Sequence, residues 1–143
     1  MLVDEFLHDI RCRSFYMEGK LVCEVLVLFF EVSSSGWVSL TVSEGVSEFV
    51  VLDSEPKLLE FSDFNDDFAY PVGRLNGFER FLGSKVVAVY EYRIVGVDEG
   101  CIGIYLDFGW GGISIIEDEG CRSVVDGFFE YTDEKYFMCK VVV

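Results

Sequence analysis

Histidine is almost absent from this sequence: there is one, His8, in 143 residues. A Ser-His-Asp or Cys-His catalytic arrangement would have to run through that residue, and no G-x-S-x-G elbow accompanies it. A zinc site built on histidine is disfavoured for the same reason, because zinc needs several nitrogen or sulfur ligands converging. Basic residues are scarce as well, 11 against 26 acidic ones, giving a formal net charge of −15. An imbalance of that size repels nucleic acid and anionic membranes and steers cationic partners inward. Long apolar runs are missing too. The most apolar stretch, Leu21–Phe30, is broken by Glu24 and falls far short of the ~20 residues that a membrane helix needs. Asp4, Glu5 and Asp9 occupy the place where a signal peptide carries positive charge. The expectation is a soluble, cytoplasmic protein with no membrane and no nucleic-acid partner.

Against these absences stands a large apolar content: 51% hydrophobic residues, 14 Phe, 7 Tyr and a mean hydropathy of +0.33. Disordered acidic tails lack such residues. A chain of this length suits one domain, residues 1–143, with roughly 68% of its unfolded surface buried on folding. The five cysteines (Cys12, Cys23, Cys101, Cys121, Cys139) are odd in number, scattered, and form no C-x-x-C pair. They are expected to be buried free thiols in a reducing compartment.

Strand patterns dominate. In Lys85–Val95, Val86, Ala88, Tyr90, Tyr92 and Ile94 alternate with Glu91 and Arg93. Cys101–Phe108 sets Ile102, Ile104, Leu106 and Phe108 opposite Gly103, Tyr105 and Asp107. Ile113–Ile116 follows the cluster Gly109-Trp110-Gly111-Gly112, so the three segments read as an antiparallel meander. Leu21–Val32 is apolar on both faces, as a central strand is. Turns at Ser33–Gly36 and Glu44-Gly45 separate it from strands over Trp37–Val42 and Glu48–Leu52. The spacing of Leu75, Phe78 and Leu82 predicts one short helix over Arg74–Leu82. Val3–Leu7 reads as a helical turn or as the lead-in to a strand over Ile10–Tyr16. Asp53–Gly73 reads as a long packed loop and Tyr136–Val143 as a last strand. The fold class is therefore mainly β (β-rich α+β): an antiparallel sheet, sandwich or half-barrel with one or two short helices.

Motifs for chemistry fail one by one. Asp63-Phe64-Asn65-Asp66-Asp67 opens like a calcium loop, but Phe68 stands where that motif needs glycine and Arg74 where it needs glutamate. Gly109–Gly112 lacks the lysine of a phosphate loop and leads into a strand, so its glycines are expected to serve a hairpin. Paired carboxylates are too numerous among 26 acids to single out a glycosidase pair. Nothing here points to an enzyme, a cofactor or a resident metal.

The distribution of charge carries more. Acids fall in the expected turns: Asp98-Glu99, Glu117-Asp118-Glu119, Asp63 with Asp66 and Asp67, and Asp133-Glu134. If Val86–Val95 and Cys101–Phe108 form a hairpin, Glu117–Glu119 returns to the same end of the sheet as Asp98 and Glu99. Five carboxylates then share one rim. Trp37, on a polar-patterned face, and Trp110, in a glycine turn, are candidates for exposed anchors beside them.

The order of elements, Gly36-Trp37-Val38-Ser39-Leu40 with its Glu44-Gly45 turn, then Phe68-Ala69-Tyr70-Pro71, Val86–Val95, and the hairpin Gly103–Phe108 to Gly112–Asp118, resembles the immunity proteins of bacterial polymorphic toxin and contact-dependent inhibition systems. These are small, acidic, cytoplasmic single domains that bind and block a toxin domain, often a basic nuclease. The resemblance implies a cognate toxin as partner, with Asp98, Glu99, Glu117, Asp118 and Glu119 as first contacts and Trp110, Trp37, Asp63, Asp66 and Asp67 after them. The other function class is a small β-barrel enzyme or ligand carrier whose pocket would be lined by Tyr90, Tyr92 and Tyr105.

Overall fold

A computed structural model of residues 1–143 shows eleven strands. They are β1 (Leu7–Met17), β2 (Lys20–Val32), β3 (Gly36–Ser43), β4 (Val46–Val51), β5 (Phe68–Ala69), β6 (Val72–Arg74), β7 (Ala88–Ile94), β8 (Cys101–Asp107), β9 (Gly112–Asp118), β10 (Cys121–Asp126) and β11 (Tyr136–Val141). All pairings are antiparallel, and the sheet curls into a half-barrel. No helix is long and apolar enough to cross a membrane.

β2 is the central strand, as its two apolar faces require. It pairs with β1 along its length, with β3 from Leu28 to Val32, and with β10 at Val25. The switch of neighbour has a local cause. Arg13 faces Val27 while Phe15 faces Cys23, so Ser14 of β1 spans Glu24, Val25 and Leu26 of β2. Extra residues of this kind bend a strand and raise its twist. Here the bulge carries Val25 across to Arg122. The buried Arg122 guanidinium donates to the carbonyls of Leu26 (3.0 Å), Val42 (3.1 Å) and Gly120 (2.8 Å). Cys23 and Cys121 form a disulfide at the same seam.

One core of 20 buried residues fills the half-barrel, with Leu28, Phe30 and Leu40 from the first half against Val89, Ile104, Leu106, Ile113 and Ile115 from the second. The meander β7–β8–β9 is as expected, but its outer face is covered too. Tyr92, Tyr105 and Ile116 lie beneath Phe129, Tyr131 and Tyr136. Three expectations are corrected. Asp53–Gly73 is not all loop, because β5 and the start of β6 pair with β1 and Phe61–Asp63 makes a 3-10 turn. Arg74–Leu82 is not a helix: Arg74 ends β6, Leu75 donates to the Ile10 carbonyl, and only Glu79–Phe81 makes a 3-10 turn. Gly77 (φ +92°) and Gly83 (φ +86°) bracket that turn in left-handed backbone, which stops it extending. Nor are all five cysteines thiols, since Cys23 and Cys121 are bonded and Cys12, Cys101 and Cys139 are free.

Candidate functional site

Two tight turns and a longer connection build the acidic rim. The β9–β10 turn places Glu119 (φ +52°) and Gly120 (φ +79°) in left-handed backbone, the geometry that closes a two-residue hairpin. The Glu117 carboxylate accepts the Gly120 N–H at 3.0 Å. In the β7–β8 connection, Arg93 donates to Glu91 (2.8 Å) and to the Asp98 carbonyl, leaving the Asp98 and Glu99 carboxylates exposed. Antiparallel alternation puts both turns at one end of the meander. The register pairing Gly103 with Ile116 brings Glu117 and Asp118 alongside Ile102 and Cys101, just past Glu99. The expected convergence of Asp98, Glu99, Glu117, Asp118 and Glu119 follows from this topology.

The third turn was invisible as a member. Glu44 (φ +53°) and Gly45 (φ +80°) join β3 to β4, and the Gly45 carbonyl accepts from Cys101 N–H at 3.0 Å. The approach is so close that a Cβ on Gly45 would run into the Glu99 carbonyl. Glu44 therefore stands beside Glu99, and the apolar residues at this end are Val46, Val95 and Val97, all about half exposed. None of the six rim carboxylates has an ion-pair partner. The six ion pairs of the molecule use Asp4, Asp9, Glu55, Glu91 and Asp126 instead.

The remaining site candidates do not join the rim. Trp37 is only 7% exposed, packed with Phe29 and Val72 and roofed by the Arg11 guanidinium 4.5 Å from its ring centre. It is a core residue and leaves the docking surface. Trp110 is 56% exposed, stacked on Phe81 with its indole N–H on the Ser84 hydroxyl (3.2 Å). It lies in the β8–β9 turn, at the opposite end of the meander from the carboxylates. Asp63, Asp66 and Asp67 are exposed in a separate loop. There Asp63 accepts the Glu60 N–H at 2.7 Å, and the Asp67 carbonyl accepts from Glu18 at 2.7 Å.

The tyrosines expected to line a pocket pack on other rings instead. The Tyr92 hydroxyl bonds Ser114 (2.7 Å) and accepts the Phe129 N–H (3.1 Å), and Tyr105 stacks on Phe128 at 4.4 Å. Both buried free thiols are held in the protonated form. Burial, followed by the charge of Glu91, pushes the Cys101 thiol up to about 12, and burial with Glu24 raises Cys12. His8 is exposed on β1, without a hydrogen-bonded partner. No protein-family model, curated protein or solved structure matches this chain.

Proposed function

We propose that this protein binds and neutralises a basic protein partner, in the manner of the immunity proteins its sequence resembles, through the rim formed by the β3–β4, β7–β8 and β9–β10 turns. The observation that carries this reading is the gathering of six carboxylates, none of them in an ion pair, in three turns at one end of the meander. Like charges gathered at one end oppose folding through repulsion. Lys and Arg of a partner would relieve that repulsion, guide the encounter and fix its register. Val46, Val95 and Val97 supply the apolar surface that excludes water between such pairs. The two-residue turns at Glu44-Gly45 and Glu119-Gly120 keep the cost of ordering small. The chemistry asked of the chain is binding and occlusion, with no bond made or broken.

The test takes the protein encoded beside this chain that ends in a small basic domain and measures affinity by titration calorimetry. Reversing Asp98, Glu99, Asp118 and Glu119 to lysine is expected to weaken binding by on the order of 100-fold or more. Glu117 is spared because it holds the Gly120 amide. Unchanged affinity would remove the rim from the interface, and absence of any complex would remove the proposed role.

A further inference from the structure

The outer face of β1, β2 and β3 carries a second site that neither the fold nor the rim explains. Arg13 is half-buried there, and none of its guanidinium nitrogens makes a hydrogen bond or ion pair with the protein. Its Nε is the one side-chain nitrogen or oxygen of the molecule that is buried without a partner. That is conspicuous in a chain with 26 carboxylates, and it contrasts with Arg11 two residues earlier. Arg11 is fully used, by Asp9 (3.1 Å), Glu55 (3.4 Å) and the Pro56 carbonyl (2.8 Å). A buried donor left unpaired costs stability and calls for an explanation.

Arg13 faces an open groove of about 550 Å³, within the range of about 300–1,000 Å³ typical of small-molecule sites. Cross-strand register builds its floor. Arg13 lies opposite Val27, and Phe29 lies opposite Ser39, with Thr41 two residues further along β3. The loop after β4 forms the far wall and contributes Leu52 and Ser54. The hydroxyls of Ser39, Thr41 and Ser54 make no hydrogen bond within the protein, so these side-chain donors around the groove are unspent. Two carboxylates, Asp53 and Glu55, also line the groove, and Glu55 is turned to Arg11.

We infer that this groove binds a small organic oxyanion, a carboxylate or phosphate on an apolar body, with the terminal guanidinium nitrogens of Arg13 and the Ser39 and Thr41 hydroxyls on the oxygens and Val27, Phe29 and Leu52 against the body. Arginine suits the role because its planar fork matches both oxyanions in bidentate fashion. This inference goes beyond the toxin-binding reading and does not depend on it.

The test titrates the full chain, labelled with nitrogen-15, with phenylacetate and with phenyl phosphate in separate arms, and follows the Arg13 Nε–H signal and the backbone amides of Ser39 and Thr41. Saturable shifts with phenylacetate alone identify a carboxylate ligand, and with phenyl phosphate alone a phosphate. Either result supports the site. Arg13→Gln is expected to weaken binding by about 10- to 100-fold, the weight of a charge-assisted hydrogen bond, and Thr41→Val by less. Arg13→Met reports on folding separately. A merely structural arginine would lower the melting temperature when removed, whereas a donor held for a ligand leaves it unchanged or raises it. No shift at Arg13 with either probe at millimolar concentration, or full binding by Arg13→Gln, would overturn the inference.

Discussion

Glu5 shows how single residues hold this fold across long sequence separations. Its buried carboxylate accepts the Ser34 N–H (2.5 Å), the Ser35 N–H (2.8 Å) and the Ser35 hydroxyl (2.6 Å), which fixes the β2–β3 turn. Burial works against the charged form, but these hydrogen bonds outweigh it and hold the carboxyl below its ordinary value. A depressed folded-state value contributes stability above the unfolded-state pKa, and that contribution is lost as pH falls through the folded one. Glu5→Gln should therefore cost about 1–3 kcal/mol near neutrality, with the gap to the natural protein closing toward acid. Chemical denaturation at both ends of that range checks it, and a gap independent of pH would contradict it. Gly45 offers a second test. Its positive φ and the Glu99 carbonyl facing it leave no room for a side chain, so Gly45→Ala should destabilise by more than the ~1 kcal/mol usual for a point change. The Glu44-Gly45 turn was legible in the sequence. Its place against Glu99 was not, because nothing local records which distant backbone a turn will touch.

Among the elements, alternation made β3, β7, β8 and β9 legible, and apolarity on both faces marked β2 as central. Where other forces set the backbone, the pattern failed. The stretch Cys121-Arg122-Ser123-Val124-Val125-Asp126 does not alternate, yet it forms β10 because β9 offers it an edge. Leu75 and Phe78 have helical spacing but reach the core from an irregular segment broken at Gly77. The β2 bulge left no signature, and with it went the seam to β10 and the Cys23–Cys121 bond. That bond closes a loop of sequence separation 98, for which the chain-entropy account gives about 4–5 kcal/mol. Replacing both cysteines by serine should lower stability by up to that amount in guanidinium unfolding. Thiol titration of the denatured, unreduced protein should find three reactive thiols of the five. Five would show that the seam holds without a covalent link.

Over the whole molecule, charge was the most informative quantity in the sequence, and its meaning depended on topology. Two of the three rim turns could be placed at one end from strand order alone. Strand order puts Trp110 at the opposite end, but Trp37 could not be placed, because it sits on a face that looks polar until Arg11 and Phe29 close over it. Six unpaired carboxylates in contiguous turns should cost stability in the free protein. Changing Asp98, Glu99, Asp118 and Glu119 to their amides should therefore raise the melting temperature at low salt, with the gain shrinking as salt screens the repulsion. The most direct test of the docking claim compares two charge reversals of equal size. One places lysine at Asp98, Glu99, Asp118 and Glu119. The other places it at Glu18, Asp53, Asp66 and Asp67, exposed acids away from the rim turns. Each takes the formal charge from −15 to −7. Association rates with the basic partner, measured across a range of salt, should fall steeply and lose most of their salt dependence for the rim set, while the other set stays close to the natural protein. Equal losses from both sets would mean that net charge alone guides the encounter, and the rim would have no special part in it.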